Sequence, residues 1–555
     1  MNRHVYIGSA WPYVNGQLHL GHVAGLLPAD FLARFHRLNG DQVLWTSGSD
    51  CHGTPITVRA KQEGKSPREV AQYYHNQAVE TFGQLGFSYS LYWATMEPKH
   101  YERVQASFKL LHDQGLIVEG DFQLARCSSC KANRADREIS GQCPFCMDEG
   151  ARGDQCDNCG EELDPIQLLN PTCAECGSNI EFELSKELFF DLPQLEVQLS
   201  AWVNKQPHWR LNAKRWTESW LKEGLKKRPI TRKIDWGIPV PIDGWEDRRI
   251  YVWFEAVHGY LTASMQWAEN QEDPECWKSF WNPDDENVIA YYVIGKDNIP
   301  FHTLMWPGIL MGRNLALPWH IVSSEYLGLE GQPLSTSKNW AIWAPDFLER
   351  YPADYLRYFL AAAGPEKKDT DFTWERFVSR INDELVNNWG NLIQRVLKFV
   401  HKRFDGKMPD WLGTDERDQA LNDLIESTFI DVAKHIEDTE FQRAIKTVMK
   451  AVQATNQYLQ ERAPWKEIKT DKNRAGVTIA VALNAIASIA ILTEPFMPFQ
   501  AKKLQGLLGG MGDRTWKQYV LHAGHPIFQL DSFFEKLDTS VVQAELDRLE
   551  AQKTE

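Results

Sequence analysis

The sequence predicts an α/β fold in which a doubly wound parallel sheet is split by a cysteine-rich insert and followed by an α-helical bundle. Three observations predict it. Apolar runs of strand length alternate with helical stretches up to about residue 115 and again from about residue 231. Four Cys-x-x-Cys pairs crowd between Cys127 and Cys176. From Asp346 onward strand signals fade and long helical patterns take over.

Residues 4–8 read as the first strand. A turn rich in Pro, Asn and Gly follows, and His19-Leu-Gly-His22 then opens a helix. Two histidines three residues apart face the same way. They stand where free backbone N–H groups and the helix dipole favour an anion. Gly21 has no side chain, so a flat base or ribose can lie on the backbone. This is equipment for holding a nucleoside triphosphate and stabilising charge on its phosphates. Taken alone, the same two histidines also fit a structural role.

Residues 42–47 give a second strand and 66–85 a helix. The insert begins near residue 116 and continues to about 230. Its pairs are Cys127/Cys130, Cys143/Cys146, Cys156/Cys159 and Cys173/Cys176. No secretion signal precedes them, so disulfides are disfavoured. Each pair suits half of a tetrahedral zinc site, so four pairs predict two zincs per chain. Spacing alone does not fix which pairs combine, although the nine-residue spacer between Cys146 and Cys156 favours the inner two sharing an ion. Cys51 and Cys276 are isolated. Strand-like runs resume at 250–254, 288–294 and 319–323; helical patterns then cover 376–403, 415–459 and 475–497, with a short charged amphipathic helix at 540–553.

The 555 residues suffice for three or four domains. With 43% apolar and 24% charged residues, the composition is that of an ordinary globular protein. No apolar run reads as long enough for a bilayer, so a cytoplasmic protein without a membrane partner is expected. A net charge of −15 requires any nucleic-acid partner to be met by local basic patches, and no DNA partner is expected. Several of the 22 tryptophans fall inside the motifs below.

Pro12-Tyr-Val-Asn-Gly through His19-Leu-Gly-His22, then Asp50-Cys-His-Gly-Thr-Pro, resemble the ATP signature and its sequel in class I aminoacyl-tRNA synthetases, and within that class the methionyl-tRNA synthetase family. The resemblance is collinear over nearly the whole chain. Ile230-Thr-Arg, Trp236-Gly-Ile-Pro-Val-Pro, Tyr251-Val-Trp-Phe-Glu-Ala, Gly295-Lys-Asp297 and Phe301-His-Thr-Leu-Met-Trp-Pro307 are similar to segments lining that family's methionine pocket. Asn387-Asn-Trp-Gly-Asn-Leu-Ile-Gln-Arg395 and Ala463-Pro-Trp465 resemble helices that read a CAU anticodon.

The resemblance implies a Rossmann-like catalytic domain in two halves (1–115 and 231–325). Between them lies a zinc insert (116–230); a signature-loop and stem-contact region (326–370) and an anticodon domain (371–555) follow. It implies a ligase that joins methionine to ATP as methionyl-adenylate, then transfers the methionyl group to tRNA(Met) for translation. In the family's two-zinc version, Cys143, Cys146, Cys156 and Cys159 share one ion, and Cys127, Cys130, Cys173 and Cys176 the other. ATP with Mg²⁺ falls to His19, Gly21, His22, Gly295, Asp297, Ser335, Thr336, Ser337 and Lys338, of which His19, His22 and Lys338 are the catalytic candidates. Methionine falls to Trp11, Tyr13, Asp50, Arg232, Trp253, Tyr260, His302 and Trp306: Asp50 for the ammonium, Arg232 for the carboxylate or a pocket salt bridge, aromatic rings for the thioether. His302 and the Tyr13 hydroxyl are expected to point hydrogens at the sulfur. The anticodon falls to Asn387, Asn391, Arg395, Pro464 and Trp465. A monomer is expected.

The chain departs from the family at Trp11 and Val257, and most of all in Pro333-Leu-Ser-Thr-Ser-Lys-Asn339. Many relatives carry two lysines in this loop; here Pro333 and Thr336 occupy those places, and Lys338 is the nearby cation. Three alternatives follow: a class I synthetase for another amino acid, a non-catalytic tRNA-binding paralogue, and a drug-tolerant second copy.

Overall fold

The computed structural model describes residues 3–134, 138–153, 156, 158–159, 161, 163–336 and 338–553. At its centre β1 (His4–Ser9), β2 (Gln42–Ser49), β3 (Leu91–Ala94), β4 (Val288–Gly295) and β5 (His320–Ser324) form one parallel sheet in the order β5-β4-β1-β2-β3. Alternate side chains of β1 enter different cores: Val5 and Ile7 pack on one side of the sheet and Tyr6 on the other. Both faces are covered, which explains why these strands read as unbroken apolar runs. β1 is flanked by β2 on one side and by the late-arriving β4 on the other. Open sheets of this kind bind ligands in the crevice beyond the carboxyl ends of the strands at that reversal.

The helix α1 (Leu20–Leu38) follows β1 and packs on β1, β2 and β4. The insert is an arm: Ile117–Cys127 pairs antiparallel with Ile180–Phe190 along its whole length, and the cysteine pairs lie at its far end. Farther on, Glu416–Glu437, Phe441–Arg462 and Lys472–Thr493 pack against one another as a helical bundle.

Three sequence expectations change. Residues 250–254 are not a strand. Only Arg249–Ile250 pairs, and Val252–Ala256 is helical. A short apolar run does not distinguish a buried strand from a buried helix. The pattern over 415–459 is two helices, because Thr439 turns the chain with a left-handed φ of 57°. Lys472–Thr493 is in fact long and apolar enough to cross a membrane, but its stretch from Ala475 to Thr493 is wholly buried here as the core helix of the bundle.

One buried guanidinium joins the sheet layer to the bundle. Arg357, on helix Ala353–Ala363, donates to Asp30 on α1 and to the carbonyls of Leu85 (3.1 Å), Pro495 (2.9 Å) and Phe496 (2.9 Å). Asp30 also accepts Arg34 Nε at 2.7 Å and the Ser88 backbone N–H at 2.9 Å. Neither Arg357 nor Asp30 is exposed to solvent. Arg357→Met should cost about 3–5 kcal/mol, because it removes one of the two guanidiniums that hold a buried carboxylate and takes the donor from three carbonyls. A denaturation midpoint that barely moves would show that the junction is held elsewhere.

Candidate active site

The carboxyl ends of the strands explain why distant motifs meet. β1 runs into Trp11 and Tyr13, β2 into Asp50, β4 into Asp297, and β5 toward the loop at 333–340. Tyr13 and Asp50 extend the sheet as a parallel bridge: the Asp50 N–H donates to the Pro12 carbonyl at 2.9 Å, and the Val14 N–H to the Asp50 carbonyl at 3.2 Å. Asp50 is buried; burial first, then the charge of Glu255, push its carboxyl well above the usual range.

His19 caps α1. Its Nδ1 accepts the Gly21 N–H at 3.1 Å, and His22 Nδ1 accepts the His19 N–H at 3.1 Å. With Nδ1 accepting, each ring carries its proton on Nε2. The rings stack with centroids 3.8 Å apart. Burial, and then His22, lower the pKa of His19; burial brings His22 down to about 4. Both rings are therefore neutral near pH 7 and offer N–H donors rather than charge. The space beside Gly21 is taken: a Cβ there would lie 2.8 Å from Leu334 and 2.9 Å from the His19 ring. The expected room for a base on this backbone is thus filled by the second signature loop.

That loop is zipped to the first signature. The Leu20 N–H donates to the Ile342 carbonyl at 3.0 Å, and the Ala344 N–H to the Leu18 carbonyl at 2.7 Å. Ser335 and Trp340 exchange backbone hydrogen bonds of 3.0 and 2.9 Å, closing a tight hairpin with Thr336 and Lys338 exposed at its tip. Ser337 lies outside the described residues. From behind, helix Ser540–Gln552 braces the loop: Asn339 Nδ2 donates to the Gln552 carbonyl at 2.8 Å, and Lys553 Nζ lies 3.9 Å from the Trp340 ring centre. Across the site, the Asp297 carboxylate folds over Gly295, 2.5 Å from where a Cβ would sit.

The aromatic candidates gather as well. The Trp253 indole N–H donates to the Tyr13 hydroxyl, and Trp253 meets Phe301 edge-on at 4.7 Å. Tyr260 and His302 are joined at 2.7 Å, and His302 Nδ1 faces the Asn298 carbonyl at 2.9 Å. His302 Nδ1 must therefore be the protonated nitrogen, and Nε2 accepts the Tyr260 O–H. Burial lowers the His302 pKa to about 4. A neutral ring so engaged has no hydrogen left for a sulfur, which corrects the expectation for His302. Trp306 is fully buried behind Tyr260, ring centres 6.0 Å apart. Arg232 lies between the rings of Phe122 (5.2 Å) and Tyr251 (4.5 Å), and with Trp253 and Phe301 it lines a pocket. The Trp11 indole fills a slot between Gly48 and Gly259; a Cβ on either would fall 2.2 or 2.7 Å from the ring. His302 sits in a π-helical turn, Phe301–Met305, and Asn387 in another, Ile381–Gly390. Such wide turns often mark functional sites, and nothing in composition announces them.

The cysteines form two tetrads, Cys127/Cys130/Cys173/Cys176 and Cys143/Cys146/Cys156/Cys159, each with all sulfurs within 4.8 Å of one another. Close sulfur pairs stand 3.4–3.8 Å apart. Four thiolates at ~2.3 Å on a tetrahedral ion stand roughly 3.8 Å apart, so the donor sets fit zinc. The distances exclude disulfides of ~2.05 Å. The tetrads match the nested pairing.

In the helical region Asn387 and Asn391 are exposed. Arg395 donates to Asn456 Oδ1 at 2.8 Å and lies 5.6 Å from the Trp465 ring centre. Pro464 starts the short helix Pro464–Glu467, which leaves Trp465 36% exposed and open to a stacking partner. Sequence reasoning assigned no role to Glu255, His52 or His100, which lie buried beside Asp50 although two of them stand within quoted motifs.

Residues 5–397 match the family model for "tRNA synthetases class I (M)", and residues 408–553 that for the "Anticodon binding domain of methionyl tRNA ligase". The chain is 45% identical to a methionine–tRNA ligase of Dehalococcoides mccartyi (strain CBDB1), covering 99% of this chain and 100% of the relative. It is 42% identical to that of Thermomicrobium roseum, covering 98% of each. In fold it resembles Mycobacterium tuberculosis methionyl-tRNA synthetase in complex with methionyl-adenylate, with a TM-score of 0.80, 24% identity, and coverage of 96% of this chain and 99% of that one.

Metal analysis of the purified protein should return two zincs per chain. Cys146→Ser should lose one of them and leave the Cys127/Cys130/Cys173/Cys176 site filled. A single zinc in the unaltered chain would contradict the two tetrads.

Proposed function

The chain belongs to the methionine–tRNA ligase family of class I synthetases, and from that premise we propose how its own residues divide the work. It activates methionine with ATP, releasing pyrophosphate, and transfers the methionyl group from the adenylate to tRNA. Among the alternatives, curated relatives that match from end to end favour the ligase over a non-catalytic paralogue.

In our reading, His19 and His22 donate Nε2–H to the triphosphate as charge shifts during attack by the methionine carboxylate. Such a step needs in-line positioning and charge stabilisation rather than a nucleophilic side chain. Gly295 and Asp297 frame the nucleotide, with Mg²⁺ on the phosphates, and Gly21 lets Leu334 of the second loop close onto the histidine turn. Ser335, Thr336, Ser337 and Lys338 close over it, Lys338 supplying the cation that Pro333 and Thr336 do not. What supports this is the pair of hydrogen bonds that join the two signatures, Leu20 to Ile342 and Ala344 to Leu18. Asp50 takes the α-ammonium. Trp11, Tyr13, Trp253, Tyr260, His302 and Trp306 surround or back the thioether, with Arg232 at the carboxylate side. Asn387, Asn391, Arg395, Pro464 and Trp465 form the anticodon face. The domain limits 1–115, 116–230, 231–325, 326–370 and 371–555, a monomeric state and a cytoplasmic location belong to the same proposal.

Methionine-dependent ATP–pyrophosphate exchange, run beside leucine, isoleucine, valine and cysteine, tests the whole reading; methionine alone should support it. Lys338→Ala should slow exchange at least about tenfold with the methionine KM nearly unchanged, as for an interaction made mainly in the transition state. An unaltered rate would remove Lys338 from the mechanism. Stacking on an aromatic ring is worth about 1–3 kcal/mol per base. Trp465→Ala should therefore cut charging of tRNA(Met) about tenfold while exchange stays normal. If both activities fall together, Trp465 is a packing residue.

A further inference from the structure

Glu255 is a fully buried carboxylate whose two oxygens are held by two different imidazoles. His52 Nδ1 meets Oε1 at 2.7 Å, and His100 Nε2 meets Oε2 at 2.9 Å. The far nitrogens are engaged too. His52 Nε2 stands 2.7 Å from the Tyr101 hydroxyl, and His100 Nδ1 stands 2.8 Å from the Thr262 hydroxyl. Burial, and then the charge of Glu255, keep the Tyr101 phenol protonated, so it donates to His52. The Thr262 hydroxyl, which also stands 3.3 Å from the Gly259 carbonyl, faces His100 Nδ1. The Glu255 carboxylate only accepts, so each ring directs its own N–H at it. Although burial alone would raise its pKa, His52 and His100 hold Glu255 below the usual carboxylate range.

This relay abuts Asp50. Asp50, Cys51 and His52 are consecutive, and the His52 backbone N–H donates to Asp50 Oδ1 at 3.3 Å. Holding the His52 ring therefore holds the segment that carries Asp50. Trp11 stacks on His100 with ring centres 6.5 Å apart. Helical winding at Val252–Ala256 makes the arrangement possible: Glu255 turns inward to the two histidines while Trp253 reaches Tyr13.

We propose that Glu255 is a positioning residue for the amino-acid substrate. It fixes the Asp50–His52 segment through His52, and its buried charge adds to that of Asp50 to select a substrate bearing an α-ammonium group. The inference rests on the reading of Asp50 as the ammonium anchor. Glu255 is compensated by its two imidazoles, whereas the Asp50 carboxyl, pushed up by burial and by the charge of Glu255, ionises most readily beside a substrate cation, and a ligand without that cation leaves it without a counter-charge. A buried anion is costly to leave unpaired, so the pair discriminates against such ligands.

The test uses the zinc-loaded full chain carrying Glu255→Gln in methionine-dependent exchange, with competition by the des-amino analogue of methionine. A hydrogen bond involving a charged group corresponds to roughly ten- to hundredfold in affinity. The methionine KM should rise at least about tenfold, the ATP KM should stay within about twofold, and the inhibition constant of the des-amino analogue should hardly move. Equal weakening of methionine and its analogue would reduce Glu255 to a packing residue and overturn the proposal, as would an unchanged methionine KM. Tyr101→Phe, which removes only the remote donor to His52, should shift the methionine KM in the same direction by about two- to fivefold; no shift there counts against the relay even if the Gln variant fails to fold. Asp50→Asn separates the two levels. If it leaves the methionine KM unmoved, the anchor reading itself fails; if it raises KM while Glu255→Gln does not, only this inference fails.

Discussion

The contact on which the molecule turns is the buried pair Arg357–Asp30. Asp30 sits midway along α1, the helix whose N-terminus carries His19 and His22, and Arg357 binds it together with carbonyls from Leu85, Pro495 and Phe496. A guanidinium suits this place because its planar fork serves several acceptors at once. Through that group the helical bundle and the sheet layer act on the same helix, so the histidines have a fixed position relative to both.

A second set of contacts aligns the two signature segments. Backbone hydrogen bonds at Leu18, Leu20, Ile342 and Ala344 hold the histidine turn and the loop as one unit, with Leu334 over Gly21. On the far side, Glu545 accepts Arg350 Nε at 2.8 Å and the Tyr351 hydroxyl at 2.7 Å, while Gln552 and Lys553 meet Asn339 and Trp340. The loop at 333–340 is therefore supported by residues some two hundred positions later. Its exposed tip, with Thr336 and Lys338, projects from this support.

Burial sets the chemistry of the site as much as identity does. His19, His22 and His302 are desolvated enough to remain neutral, so each acts as a directed donor or acceptor and not as a cation. Around Asp50 the negative charge lies on Glu255, which with burial pushes the Asp50 carboxyl up. The zinc tetrads stand apart from this chemistry, at the end of a long two-stranded arm with little apolar core of its own. A metal ion there supplies the cross-linking that so small a core lacks.

Much of this was legible in the sequence. Strand and helix periodicity marked β1, α1, β2, β4 and β5, because each buries a regular face or an unbroken run. Cysteine spacing marked the four pairs and favoured the inner tetrad, since ligands close in sequence are close in space; the outer tetrad joins pairs distant in the chain and was implied by the family resemblance. The motif residues Tyr13, Asp50, Trp253 and His302 do converge, as their resemblance to one family implied. Tertiary structure alone decided the rest. Val252–Ala256 became helical because the surrounding core, not local propensity, chose between two ways of burying an apolar run. Partners from other segments engaged His302 Nε2 through Tyr260 and gave Glu255 two imidazoles. The brace from Gln552 and Lys553 to the signature loop has no local signal at all. Such features depend on which groups share a low-dielectric space, and that is determined only when distant segments pack together.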